Sequence, residues 1–146
     1  MIIDLVKKNR SYRRFEQDYP IDTQTLRDLV ECARLSPSGR NLQPYRYVLS
    51  NEPGKNAEIF TCLAWAAYLA DWPGPKEGER PSAYLVAVLD TQVSLSPGFD
   101  LGIGLQSILL AAVERGLGGC ILSSVRRDDL RKVLNLAPRY EIQCVV

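Results

Sequence analysis

Hydrophobic and polar positions along the chain follow two periods, one typical of helices and the other typical of strands. The clearest helical segment begins after Asp22, which is a suitable N-cap residue. Apolar residues recur at helical spacing behind it, at Leu26, Leu29, Val30 and Ala33. This spacing predicts a helix with one buried face.

The strand period is clearest at residues 45–50, YRYVLS, which alternate as expected of a strand with one face more buried. Further strands are predicted at 83–89, 120–122 and 141–146, and further helices at 2–8, 57–71, 99–115 and 127–134. A turn-rich loop, DWPGPKEGERP, occupies 71–81. Because strands alternate with helices, the pattern predicts a layered domain in which helices cover a central sheet.

Length and charge narrow the class of protein. The chain has 146 residues, 46% of them hydrophobic, which suits one globular domain. Its 18 basic and 17 acidic residues give a net charge of +1, so nucleic acid and anionic membranes are not expected as partners. The N-terminal MIIDLVKK is charged too early for a signal peptide, and the longest uncharged stretch, 59–70, is too short to span a bilayer. We therefore expect a cytoplasmic protein.

Histidine is absent from the sequence. This excludes Ser-His and Cys-His nucleophilic catalysis and most zinc sites, so an enzyme of this composition is expected to use a bound cofactor. Four cysteines occur in apolar contexts, at Cys32, Cys62, Cys120 and Cys144. Their spacing favours buried thiols over disulfides or a metal site.

Two segments contain candidate ligand-binding residues. Four residues lie within a five-residue stretch after the first helix, namely Arg10, Ser11, Arg13 and Arg14. They form either a phosphate site or a solvated basic turn that pairs with surface acids. The segment SPSGRN, 36–41, with Gln43 beyond it, has small residues that let backbone approach a flat ligand. A loop whose amides satisfy its own backbone is an equally good interpretation of this segment.

A third segment, GLGGC at 116–120, follows a helix, whereas nucleotide-binding glycine loops follow a strand. A Rossmann or P-loop site is therefore excluded, and close packing or close approach to a ligand remains open. The aromatic residues Trp65, Tyr68 and Trp72 favour core or interface packing over ligand stacking.

Taken in order, three motifs resemble the flavin-dependent nitroreductase family. They are NRSYRRF at 9–15, ARLSPSGRNLQPYRYVL at 33–49 and DLGIGLQSILLAAVERGLGGC at 100–120. In that family a basic segment follows the first helix, a second helix leads into a P-S-x-x-N-x-Q-P-W loop, and a later helix ends in G-L-G. The segment WAAYLADWPGP is similar to a compact subgroup of the family.

The resemblance implies an α+β fold with a central mixed β-sheet flanked by helices, built as an intertwined homodimer with FMN at the subunit interface. It implies that Arg10, Ser11 and Arg13 hold the FMN phosphate and ribityl chain. The flavin ring would be lined from the partner subunit by Pro37, Ser38 and Asn41, with Gln43 near them. Residues after the GLGG loop would run along the ring edge, namely Ile121, Leu122 and Ser123.

The sequence also departs from the family pattern. Asn9 stands where many members have an arginine, Tyr45 replaces a tryptophan, and Ser123 begins a Ser-Ser pair where a glutamate or glycine is common. The chain ends at Val146, before the basic residue that often completes the phosphate site. We therefore expect a single domain over residues 1–146 that lacks the family's C-terminal extension.

The activity implied by the resemblance is that of an FMN-dependent oxidoreductase. Electrons would pass from NAD(P)H, or from a small electron-transfer protein, to a nitroaromatic, quinone or other conjugated acceptor by a ping-pong mechanism. No side chain is expected to be catalytic and no metal is expected, because the flavin carries the chemistry. The alternatives are a flavin-binding protein without turnover, for storage or sensing, and a cofactor-free structural dimer.

Overall fold

The computed structural model of the chain describes residues 1–96 and 98–146. The helices are α1 (Ile2–Lys8), α2 (Thr23–Arg34), α3 (Pro53–Thr61), α4 (Asp100–Glu114) and α5 (Arg127–Leu134). The strands are β1 (Tyr45–Ser50), β2 (Tyr84–Asp90) and β3 (Tyr140–Val145), and a turn of 3-10 helix covers Gly39–Asn41. Apart from the two elements corrected below, the predicted helices and strands are confirmed, with bounds shifted by at most one residue.

The three strands form one antiparallel sheet in the order β1-β2-β3. A mixed sheet was expected from the family resemblance, so this detail is corrected. Among residues 1–96 and 98–146, parallel pairing is limited to one isolated bridge between Ser11 and Gly119, outside the sheet. The arrangement of helices around an antiparallel sheet is the expected α+β class.

Strand β2 is central, and all seven of its residues are buried. Because side chains alternate across a strand, Leu85 and Ala87 pack in a core with α2 and α4. Val86 and Val88 point to the other face and pack with Ile59 of α3 and with α5. Helices thus cover both faces of the sheet, which explains why the strand reads as a continuous apolar run.

Helix α2 begins as predicted, because the Asp22 carboxylate accepts a hydrogen bond from the Thr25 backbone N–H at 2.6 Å. This bond holds the pKa of Asp22 below its usual value. Leu26 and Leu29 are the fully buried residues of the helix, and they pack against Leu105 of α4. The predicted apolar face is therefore confirmed.

The predicted helix at 57–71 is wrong. Helix α3 begins earlier because the Glu52 side chain accepts hydrogen bonds from the backbone N–H groups of Gly54 and Lys55. It ends at Thr61. Beyond it, Leu63 forms a bridge with Val125. The apolar residues after Thr61 therefore form a connection, anchored by buried Trp65, rather than further helical turns.

The predicted strand at 120–122 is also wrong. Leu122 forms a single bridge with Val145 of β3, and Gly119 forms the bridge with Ser11, so the segment does not continue a ladder. Within residues 1–96 and 98–146, no helix is long and apolar enough to cross a membrane.

Candidate functional site

The connection between α2 and β1 is held by Asp100, the first residue of α4. The Ser38 hydroxyl donates a hydrogen bond to the Asp100 carboxylate at 2.6 Å, and the Gly39 backbone N–H donates to the same carboxylate at 3.0 Å. Ser38 in turn accepts a hydrogen bond from the backbone N–H of Gln43 at 2.9 Å. One carboxylate and one hydroxyl therefore determine the path of this loop, which we call the junction loop (residues 35–44).

The junction loop contains an unusual concentration of left-handed backbone. Arg40, Asn41 and Gln43 have φ values of 54°, 56° and 48°. Such conformations are costly for residues other than glycine and are found mainly where the surrounding structure enforces them, often at functional sites. The Gln43 side chain amide also donates to the Asn41 side chain oxygen at 2.8 Å. The loop is therefore a constrained structure with Asn41 and Gln43 exposed at its surface.

A half-open cavity of about 660 Å³ lies beside the junction loop. Its walls include Pro37, Ser38, Asn41 and Gln43 from the loop, together with the phenol rings of Tyr45 and Tyr47 from β1. This volume lies within the range of small-molecule and cofactor sites. The structure thus brings the four candidate residues of the junction loop together around one cavity.

The tyrosines of this cavity are hydrogen-bond donors at neutral pH. Burial raises the pKa of Tyr47 to about 12, and burial with the nearby Asp100 carboxylate raises the pKa of Tyr45 above its usual value. A methyl group on Gly104 of α4 would lie 3.1 Å from the Tyr47 hydroxyl oxygen. The glycine therefore lets the tyrosine pack closely against the helix.

The basic segment after α1 packs against the glycine loop after α4. Ser11 forms a parallel bridge with Gly119, and the Tyr12 backbone N–H donates to the Gly119 carbonyl at 3.1 Å. A side chain on Gly118 would place its Cβ 2.6 Å from the Tyr12 ring. Glycine at this position is thus required for the close approach that positions Arg10 and Arg13.

The two arginines keep their positive charge available. Arg10 donates to the carbonyls of Val6 and Asn9, and Arg13 donates to the Ser11 carbonyl, so both are oriented by backbone oxygens. In the described part of the chain neither forms an ion pair with a carboxylate. The Arg13 Nε–H is moreover buried without a hydrogen-bond partner. This chemistry fits an anionic group such as a phosphate.

The residues that follow the glycine loop differ in their exposure. Ile121 is 44% exposed and Ser123 is exposed, whereas Leu122 is buried and exchanges two backbone hydrogen bonds with Val145. The Ser123 carbonyl accepts a hydrogen bond from Arg127, which sequence reasoning did not single out. Arg127 also donates to two carbonyls of β3 and so fixes this segment to the sheet edge.

The two groups of candidate residues lie at opposite ends of α4. Asp100 at its start holds the junction loop, and the glycine loop at its end holds the basic segment. The helix has 15 residues, which at about 1.5 Å per residue separates its ends by about 20 Å. The cavity at the junction loop accordingly includes no residue of the basic segment or of 121–123.

The cysteines are mostly buried. Cys62, Cys120 and Cys144 are buried and Cys32 is half-buried, and all four are free thiols. Burial raises the pKa of Cys120 and of Cys144 to about 11, so both stay protonated at neutral pH. In residues 1–96 and 98–146, no cluster of metal-ligating side chains was found.

The chain is similar to proteins of known families. The family model described as "Nitroreductase family" matches residues 6–80 and 97–146. A Streptococcus pyogenes protein with the name "Putative NAD(P)H nitroreductase Spy0809" is 34% identical over 107 residues. This alignment covers 73% of the chain and 48% of the relative, so the chain spans about half the length of that relative.

Two solved structures share the fold. A nitroreductase family protein from Streptococcus pneumoniae has a TM-score of 0.80 at 19% identity, over 99% of this chain and 88% of that chain. A protein from Clostridium difficile, described as an FMN-dependent nitroreductase, has a TM-score of 0.77 at 21% identity. Its match covers 98% of this chain and 83% of the other. At these identities the similarity establishes the fold.

Proposed function

Because the chain belongs to the nitroreductase family, we propose that it is an FMN-dependent oxidoreductase with a ping-pong mechanism. The proposed donor is NAD(P)H or a small electron-transfer protein, and the proposed acceptor is a nitroaromatic, a quinone or another conjugated compound. The observation that carries the proposal is the pairing of Arg10 and Arg13, which form no ion pair among the described residues, with a constrained, amide-bearing loop beside a large cavity. The relatives named as NAD(P)H and FMN-dependent nitroreductases support it.

The basic segment would bind the phosphate of FMN. Arg10 and Arg13 offer guanidinium N–H donors, and the Ser11 hydroxyl adds a further donor on the same segment. The unpartnered Nε–H of Arg13 would gain an acceptor, which removes the cost of a buried, unsatisfied donor. The residues present therefore fit the anionic end of this cofactor.

The junction loop would bind the flavin ring. Pro37 and Ser38 present little bulk, and Asn41 and Gln43 offer amide groups to the ring's polar edge. Asp100 holds the loop in this shape. A ring bound against fixed backbone pays little ordering entropy on binding.

The segment after the glycine loop would contribute to the same site. Exposed Ile121 and Ser123 would border the ring, whereas buried Leu122 would act by holding the segment against β3. When bound, FMN would accept a hydride from NAD(P)H and pass the electrons to the acceptor, so no acid–base side chain is required. This is consistent with a sequence that has no histidine.

The proposed site is built from two copies of the chain in a homodimer. About 20 Å of helix α4 separates the basic segment from the junction loop of the same chain. Apolar residues are exposed on α1 and at the start of α4, among them Ile2 at 64%, Phe99 at 88% and Ile103 at 40%. Contact between two copies through these residues would bury them and bring the loop of one copy to the basic segment of the other.

The first experiment tests the cofactor and the donor. The purified protein is saturated with FMN, made anaerobic and mixed in a stopped-flow instrument with NADH or NADPH. We expect the flavin absorbance to bleach and to return when a nitroaromatic or quinone is added. A protein that neither contains nor binds FMN would overturn the proposal, as a cofactor-free dimer would behave in this way. Flavin that binds but is reduced by no nicotinamide or protein donor would indicate a binding protein without turnover.

The second experiment tests whether the site is shared. An Arg10→Ala, Arg13→Ala chain and an Asn41→Ala chain should each have weak activity alone. Mixed dimers formed by unfolding and refolding them together should regain activity, because one of the two sites then combines wild-type residues from both copies. Arg27→Ala, an exposed arginine of α2 outside both groups, is the matched control and should keep wild-type activity alone. Failure to complement, with heterodimers verified by mass spectrometry, would contradict a shared site.

A further inference from the structure

A second groove, of about 770 Å³, lies away from both groups of candidate flavin-binding residues. Its walls are the 17–22 segment before α2, the first turns of α3, and the 77–84 segment that leads into β2. None of Arg10, Ser11, Arg13 or the junction loop lines it. We call it the α3 groove.

Arg80 lies in the α3 groove in a fixed orientation. Its guanidinium carbon stacks 4.2 Å from the centre of the Phe60 ring, which leaves the N–H edges of the guanidinium free to bind an acceptor. Its backbone N–H donates to the Gln17 side chain oxygen at 3.3 Å, and the same oxygen accepts from Gly78 at 2.8 Å. The arginine is thus held by contacts on both its backbone and its side chain.

The Arg80 side chain nevertheless lacks an acceptor. Its Nε–H is buried without a hydrogen-bond partner, and within residues 1–96 and 98–146 it forms no ion pair. A buried donor left unpaired costs free energy that an acceptor would recover. The free Nε edge is the one that, with a neighbouring Nη, binds a carboxylate through two parallel hydrogen bonds.

Tyr84 adds a second donor to the same groove. The residue is 2% exposed, and its hydroxyl is buried without a partner. Tyr84 lines both the α3 groove and an apolar cavity of about 80 Å³ beneath it. Trp65, 7% exposed and also with an unpartnered N–H, lines that inner cavity, and its ring centre lies 5.9 Å from that of Phe60. Arg80 and Trp65 thus both pack against Phe60, and Tyr84 lines the same groove as Arg80.

We propose that the α3 groove binds a small monocarboxylate, held by the guanidinium edge of Arg80 and the hydroxyl of Tyr84. The stacked guanidinium supplies two parallel, charge-assisted N–H donors, and the tyrosine hydroxyl supplies a third hydrogen bond. Together these donors match the two oxygens of a carboxylate. Three carboxylates of the protein also line the groove, at Asp18, Asp22 and Glu77. They disfavour a second negative charge on the ligand, so the remainder of the ligand is neutral or cationic.

The experiment uses the nitrogen-labelled protein saturated with FMN. Acetate and the zwitterion glycine betaine are titrated at constant ionic strength, with acetamide and chloride as controls. The spectra resolve the Arg80 Nε–H and the indole N–H groups of Trp65 and Trp72, the two tryptophans of the chain. We expect saturable shifts of the Arg80 and Trp65 signals with the two carboxylates, and no comparable shifts with acetamide or chloride.

Two variants make the test specific. Arg80→Lys keeps the positive charge but loses the two parallel N–H donors of the guanidinium. It should weaken acetate binding by about tenfold or more, as expected for the loss of a hydrogen bond to a charged group. Tyr84→Phe keeps the ring and should weaken binding by about fivefold or more. Arg27→Lys, an exposed arginine of α2, is the matched control and should bind acetate as the wild type does.

The outcomes separate a carboxylate site from its alternatives. Equal shifts with acetate and chloride would show that the positive charge of Arg80 attracts any anion without selecting a carboxylate. This result would overturn the proposal. Absence of any saturable shift would show that ordered water satisfies these donors, and would also overturn it. If Arg80→Lys proved unfolded by circular dichroism, the isosteric Tyr84→Phe variant would decide, since unchanged acetate affinity in that variant contradicts the proposed contact.

Discussion

Removal of the Asp100 carboxylate is expected to release the junction loop. Asp100 accepts the Ser38 hydroxyl at 2.6 Å and the Gly39 backbone N–H at 3.0 Å, and these bonds hold a loop with three left-handed residues in place. In Asp100→Ala both donors lose their acceptor. The strained residues of the loop then lose the contacts that enforce their conformation.

The magnitude follows from the two hydrogen bonds. Hydrogen bonds to charged groups contribute about 1.5–3 kcal/mol each to stability. Because the Gly39 bond is solvent-exposed, we take the lower value for each of the two bonds, which gives a sum of about 3 kcal/mol. Asp100→Asn keeps one carbonyl acceptor and should lose about half as much. Asp128→Ala is the matched control, because Asp128 is also an acidic residue in the first turn of a helix. It should cost only the helix-dipole contribution of about 0.3–1 kcal/mol.

Urea denaturation followed by circular dichroism measures these differences, provided that the slope m is unchanged among the variants. Hydrogen exchange of the Gly39 and Gln43 backbone amides reports the loop itself, and both should exchange faster in Asp100→Ala. FMN affinity should fall in the same order as stability. If Asp100→Ala loses no more free energy of unfolding than Asp128→Ala and its loop amides stay protected, Asp100 does not hold the junction loop.

Three further predictions concern other parts of the chain. Arg10→Ala should weaken FMN binding by about tenfold or more, as expected for the loss of a charge-assisted contact, and unchanged affinity in a fluorescence titration would place Arg10 outside the phosphate site. Gly118→Ala should destabilise the fold by about 1–3 kcal/mol, because its Cβ would lie 2.6 Å from the Tyr12 ring. Adding Tyr12→Ala should recover part of this loss in thermal melts, and no recovery would refute the clash. Burial raises the pKa of Tyr47 to about 12 from its ordinary value near 10, so the folded state favours the protonated phenol. The contribution of this preference to the free energy of unfolding is complete below pH 10 and is lost as pH rises towards 12. The unfolding free energy of Tyr47→Phe should therefore change less than that of the wild type between pH 10 and pH 12, and identical profiles would contradict the assignment.

Local patterns predicted those elements whose boundaries are determined by neighbouring residues. The Asp22 cap and the apolar spacing behind it were sufficient for α2, and the buried run at 83–89 was sufficient for β2. The helix predicted at 57–71 failed because an apolar composition is shared by buried helices and buried connections. Only the fold places Trp65 against Gly74 and pairs Leu63 with Val125, and these contacts end α3 at Thr61.

For the candidate site, the sequence alone determined which residue types lie in which segment. The composition of the junction loop, the basic segment after α1 and the glycine loop after α4 could all be recognised in order, because each is a local motif. The tertiary structure decided what these motifs contact. Asp100 reaches Ser38 across 62 positions, and Gly119 reaches Ser11, so neither contact has a periodic signal in the sequence. Hydrogen bonds and packing depend on distance in space, and for residues far apart along the chain only the complete fold determines that distance.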